Sequence, residues 1–111
     1  MSRSFPVGVI ISAYHNRLLV PFNEYRDFLD YMTGTELYLY DVASARISVL
    51  TALKRQLPQL AKVSRPPEKT DSGNATRYVR KVAKELGTDE LELTPLRRGG
   101  FVPRTPKEAL K

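Results

Sequence analysis

The sequence predicts a small single α+β domain: three main helices around one core, with a minor two- or three-stranded sheet. Three observations carry that prediction. Apolar residues recur at helical spacing in residues 22–34, 42–57 and 75–86. Residues 17–20, 35–40 and 89–94 are short runs of extended character, and in the last two leucines alternate with other residues. The 111 residues make one domain's worth of chain, enough to bury roughly two-thirds of the unfolded surface.

Taken in order, residues 5–14, FPVGVIISAY, suit a helix entered through Pro6. They suit a strand equally through the β-branched Val9, Ile10 and Ile11, and Gly8 weakens both readings. His15-Asn16 reads as a turn, and residues 17–20, RLLV, as a short strand ahead of Pro21. Residues 22–34, FNEYRDFLDYMTG, form the stretch around which the rest is expected to be organised. Phe22, Tyr25, Phe28, Leu29 and Met32 share one helical face, with Asn23, Glu24, Arg26, Asp27 and Asp30 on the other. Gly34 ends the helix because it enters the left-handed conformation without a Cβ clash.

Residues 35–40, TELYLY, read as a brief strand, and Asp41 stands at an N-cap position for the second helix, 42–57. Val42, Ala45, Val49, Ala52, Leu53 and Gln56 lie on one side of that helix. Ile47, Leu50 and Leu57 widen the stripe, and Pro58 stops the helix. Residues 62–74 break the pattern with Pro66-Pro67 and a polar run at 71–74, which predicts an exposed internal loop.

The third helix, 75–86, takes its cap from Ser72 or Asn74 and its stop from Gly87. Tyr78, Val79, Val82, Ala83 and Leu86 make its apolar stripe. Leu91 and Leu93 give residues 89–94 one inward side, and the expected strand pair is 17–20 with 90–94. Residues 97–111 read as a basic C-terminal loop and short helix. The predicted core is Phe28, Leu29, Met32, Val49, Leu53, Val79, Val82 and Leu91.

The net charge of +6 is unevenly placed: residues 1–61 carry +1 and residues 62–111 carry +5. Such a balance favours polyanions or acidic protein surfaces as partners. The cationic positions cluster. Arg77, Arg80, Lys81 and Lys84 fall at i, i+3, i+4 and i+7, opposite the apolar stripe of the third helix, and Arg97 and Arg98 precede Gly99-Gly100. These six are the candidate partner-binding residues. Charges on one helical side can track phosphates or meet an acidic protein patch. The glycine pair lacks the spacing of a P-loop or a dinucleotide fingerprint.

The chain holds no cysteine, so disulfides, thiolate nucleophiles and thiolate metal ligands are excluded. The one histidine, His15, has no nucleophile or carboxylate marked as its partner, and acid–base catalysis needs positioned partners. No catalytic, cofactor-binding or metal-binding set is expected, and no enzymatic activity. No run approaches a membrane span and the N-terminus makes a poor signal peptide, so the expectation is a cytoplasmic protein with no membrane partner. The sequence sets no oligomeric state.

The segments FPVGVIISAYHNRLLVP, YRDFLDYMTGTELYLYDVASA, LKRQLPQLAKV and LELTPL resemble a family of small proteins from actinobacterial phages and prophages. The most specific piece is Tyr31-Met32-Thr33-Gly34, followed by the Gln-x-Pro-x-Leu spacing at 56–60. The likeness covers most of residues 5–63 and touches 91–96. It departs at 38–43, YLYDVA, where relatives often carry Thr-His-Gln-Leu-Pro, so any role of that histidine is not shared. The resemblance implies a phage setting and no particular activity. With the small size and the basic helix side, it leads to an expected function: a non-enzymatic accessory protein that binds and blocks a host protein or nucleoprotein complex, such as a CRISPR–Cas defence assembly. The alternative is a small basic regulator that binds nucleic acid directly.

Overall fold

The computed structural model describes residues 2–67, 69 and 71–96. The described residues form β1 (Arg3–Pro6), α1 (Val7–His15), α2 (Phe22–Thr33), α3 (Val42–Gln56), α4 (Ser72–Leu86) and β2 (Glu90–Leu93). Short 3-10 turns, Leu39–Asp41 and Pro58–Lys62, flank α3. The α+β class stands: the described residues hold four helices in place of three and a two-stranded antiparallel sheet.

The central element is α1, not α2. Val7, Gly8, Val9, Ile10, Ile11, Ser12 and Ala13 are all buried, and α2, α3 and α4 pack around the helix. A helix apolar on every side loses the periodic signature of an amphipathic one, and its β-branched residues mimic a buried strand. Tertiary burial overrides that preference. Gly8 is where backbone comes close: a Cβ there would lie 3.1 Å from Val20 and 3.3 Å from Val79. Glycine thus lets α4 and the loop after α1 approach the helix together.

The strand pair is β1 with β2, register Arg3↔Leu93 to Pro6↔Glu90, which corrects the expected pairing of 17–20 with 90–94. Arg3, Phe5, Leu91 and Leu93 face one way, and Ser4, Pro6, Glu90 and Glu92 the other, as the pleat requires. Phe5 and Leu93 enter the core, where the Phe5 ring meets Phe28 edge-on at 4.9 Å and Tyr31 at 5.1 Å. The Arg3 guanidinium covers the Phe5 ring from outside at 4.8 Å.

Residues 17–20 make no strand because their backbone is bound to the end of α1. Asn16 turns the chain in the left-handed conformation, at φ 55°, and the Arg17 N–H donates to the Ser12 carbonyl. The buried Ser12 hydroxyl donates to the Gly8 carbonyl at 2.7 Å and accepts the Leu19 N–H at 3.0 Å.

Residues 35–40 are likewise no strand. The buried Leu37 has its N–H accepted by the Asp30 carboxylate at 2.9 Å, while its carbonyl accepts from the Arg26 guanidinium. Two side chains one turn apart on α2 therefore occupy the groups a neighbouring strand would use. Tyr38 and Leu39 are exposed, and the Tyr40 side chain lies outside the described set.

Three predicted helices keep their places, with adjusted ends. α2 stops at Gly34, φ 75°, whose N–H donates to the Asp30 carbonyl. Its expected apolar face holds Tyr25, Phe28, Leu29 and Met32 in the core but leaves Phe22 exposed. In α3, Ala45, Val49, Ala52 and Leu53 are buried, whereas Ile47 is 63% exposed and does not widen the stripe. Asp41 holds the N-cap position of α3 without a capping hydrogen bond from its side chain. α4 begins earlier than expected and is capped by Asp71, which exchanges hydrogen bonds with Asn74 in a reciprocal box. Of the predicted core, Val79 and Leu91 are only half-buried, because they lie at the margins of α4 and β2.

Candidate functional site

α4 is anchored from within. Ala75, Tyr78 and Val82 are buried, and the Tyr78 hydroxyl donates to the Ser64 carbonyl at 2.6 Å. Burial, reinforced by Glu85, pushes the Tyr78 phenol up to about 12. With that face fixed, the helical period turns Arg77, Arg80, Lys81 and Lys84 outward, and all four are exposed. Gly87, at φ 76°, closes the helix with its N–H on the Ala83 and Lys84 carbonyls. Arg80, Lys84, Gly87, Thr88 and Asp89 border a shallow hollow at this end. The C-terminal end of the helix dipole is a favourable place for Lys84.

Glu85, next to the basic side, is occupied elsewhere. Its carboxylate accepts the Ser64 hydroxyl and the Ser64 N–H, the latter at 3.0 Å. These two hydrogen bonds, with the Lys81 charge as a smaller cause, hold the carboxyl below the usual carboxylate range. Glu85 thus ties Ser64 to α4, and with Asp89 it is an exposed acid beside the four cations, which outnumber the two. Arg97 and Arg98, the other two candidates, lie outside the described residues.

A second cationic group comes together around His15. A cleft of about 650 Å³ is lined by Tyr14, His15, Arg17, Leu50, Lys54, Leu60, Ala61, Val63, Arg65 and Pro66. The last turn of α1 with Arg17 just beyond it, the second half of α3 and the segment after α3 supply these residues. Arg46 lies behind the cleft and donates to the Ala13 carbonyl at 2.8 Å and the Tyr14 carbonyl at 3.3 Å, capping α1 from α3. Burial first, then the charges of Arg65 and Arg46, push the His15 imidazole below its ordinary value. Sequence reading missed this cluster because Arg17, Lys54 and Arg65 are scattered along the chain. The unequal charge of the two halves points away from it.

Among the described residues no group of three His, Cys, Asp or Glu side chains could hold a metal ion, and no helix is long and apolar enough to cross a membrane. The described geometry defines a small α+β domain with two cationic surfaces on a tightly tied frame. The chain belongs to the family described as a domain of unknown function (DUF7736), which matches residues 5–63. No curated protein and no solved structure matches it. The matched residues take in β1 from Phe5, α1, α2, α3 and most of the His15 cleft. α4 and β2 lie beyond them.

Proposed function

We propose that the protein acts by binding, as a non-enzymatic accessory protein that occupies a surface of a host protein or nucleoprotein complex. The carrying observation is the outer side of α4, where Arg77, Arg80, Lys81 and Lys84 stand exposed on a helix capped at both ends and anchored by Tyr78 and Val82. A predominantly cationic face on a helix whose backbone is already fixed meets an acidic patch without backbone ordering and repels basic competitors. The phage setting, and with it the blocking of a defence complex in the host cytoplasm, rests on the sequence resemblance. Arg97 and Arg98 join the contact set on sequence alone.

The test is capture of partners from host lysate by the wild type and by a variant carrying Arg77→Glu, Arg80→Glu, Lys81→Glu and Lys84→Glu. Partners lost by the variant support the surface, and identical partner profiles overturn it. A second reading, direct binding of nucleic acid, is favoured by the spacing of the same cations. They span about 10 Å of helix axis, the reach of about three phosphates along one strand. Duplex affinity that falls steeply with salt supports that reading, and no binding at low salt removes it.

A further inference from the structure

We infer that the cleft between the end of α1, the second half of α3 and residues 60–66 binds a small organic phosphate, with Lys54 and Arg65 holding the phosphate and the apolar lining holding the organic part. A nucleoside diphosphate is the chemical class that fits. The proposal is independent of the α4 surface and concerns a different part of the molecule.

Composition comes first. Among the described residues none of the ten that line the cleft is acidic, and Lys54 and Arg65 each bring a cation to it. Lys54 and Arg65 are exposed at the cleft rather than buried in the frame. A phosphate dianion takes charge-assisted hydrogen bonds from ammonium and guanidinium groups such as those of Lys54 and Arg65. The rest of the lining is of another kind: Leu50, Leu60, Ala61, Val63 and Pro66 are apolar, and Tyr14 borders the cleft with them. Apolar walls with a few convergent polar groups are the usual make-up of a small-molecule pocket, and about 650 Å³ lies in the range such pockets occupy.

The frame also removes an obstacle. The C-terminus of α1 points its carbonyls at this end, and bare carbonyls would repel an anion. Arg46 takes those of Ala13 and Tyr14, so their field is neutralised and the cleft keeps its positive sign. His15 reports that sign. The charged groups facing it are Arg65 from the segment after α3 and Arg46 from α3, and both act against its protonation. Its Nε2 is shut from solvent with no hydrogen-bond partner among the described residues, so the imidazole senses the field without serving as a ligand.

His15 is the one histidine of the chain, so its imidazole proton resonances titrate alone in an NMR spectrum. The experiment adds ADP, and separately inorganic pyrophosphate, to the intact protein at low salt. It follows the His15 titration together with chemical shifts of Lys54 and Arg65. The expected result is saturable binding of ADP, tighter than pyrophosphate, with the His15 midpoint moved upward as the anion offsets the cations. The Lys54→Gln/Arg65→Gln variant should weaken ADP by about tenfold or more, since charge-assisted bonds to phosphate are lost. Arg77→Glu/Arg80→Glu should leave ADP binding unchanged. Thermal melting of each variant checks that the fold is kept, and displacement of ADP from the wild type by added salt gives a reading that needs no variant. No saturable shift with ADP overturns the proposal. So does ADP binding that survives Lys54→Gln/Arg65→Gln, or equal affinity for ADP and pyrophosphate.

Discussion

Ser12 carries more of the structure than its size suggests. Ser12 is 1% exposed inside α1, and its hydroxyl donates to the Gly8 carbonyl and accepts the Leu19 N–H, and so binds the chain after α1 to the helix it leaves. Ser12→Ala keeps the volume but strands the Leu19 N–H. The expected loss is about 1 kcal/mol in denaturant unfolding, the net worth of a hydrogen bond at a part-buried donor. Gly34 fails for a different reason. Nothing lies within 4 Å of a Cβ placed there, so Gly34→Ala meets no clash and pays only for the left-handed backbone at φ 75°. A loss of about 1 kcal/mol is expected, measured the same way. A neutral result at either position would mean that the local backbone relaxes around the substitution.

At the scale of elements, legibility in the sequence tracks how a segment meets water. α2, α3 and α4 show their boundaries because one face of each is wet, and Gly34 and Gly87 mark two of the ends. α1 hides because burial on all sides erases the contrast between faces. Residues 35–40 mislead because alternation records which side chains point inward, not what satisfies the backbone. Arg26 and Asp30 supply that from α2, and a polar residue on an expected solvent face gives no hint of it. β1 was missed because a short strand with its partner far along the chain carries almost no local signal. Of the candidate site, the α4 cations were legible from helical spacing alone, whereas the His15 cleft exists only after α1, α3 and the following segment have folded together.

The strap between residue 64 and α4 is an element with a pH window. Glu85 has its pKa lowered by accepting from Ser64, so its contribution is present above the ordinary carboxylate range and is lost as pH falls through its own depressed value. Tyr78 has its pKa raised to about 12, so its contribution is complete below about pH 10 and is lost as pH rises toward 12. Amide exchange at Ser64 should therefore accelerate at both extremes relative to the pH-dependent intrinsic rate. Glu85→Gln should remove the acid limb and Tyr78→Phe the alkaline limb. If either limb persists in its own variant, the assignment of that limb is wrong.

For the whole molecule, the family match and the folding unit are different lengths of chain. Residues 5–63 hold α1 and two of the helices around it, but not the elements that close the remaining side. α4 brings Tyr78 and Val82 into the core and presses Val79 toward Gly8. β2 pairs with β1, the Val7 N–H donates to the Asp89 carbonyl, and the Leu96 N–H donates to the Met32 carbonyl at 2.8 Å. The Gln56 amide extends this closure by exchanging hydrogen bonds with the Thr94 backbone at 2.8 and 2.9 Å. A chain cut after residue 70 leaves Gly8 without Val79 over it and β1 without a partner, and one strand alone does not persist in water. The expected product keeps helical far-UV circular dichroism, loses the near-UV signal of the Phe5, Phe28 and Tyr31 cluster, binds ANS and melts without a sharp transition. A cooperative melt with a native near-UV spectrum would show instead that α4 is an appendage. In the closed molecule the helix that carries the four exposed cations also completes the core. Charge reversal on its outer side should therefore change binding, while substitution of Tyr78 or Val82 should change folding first.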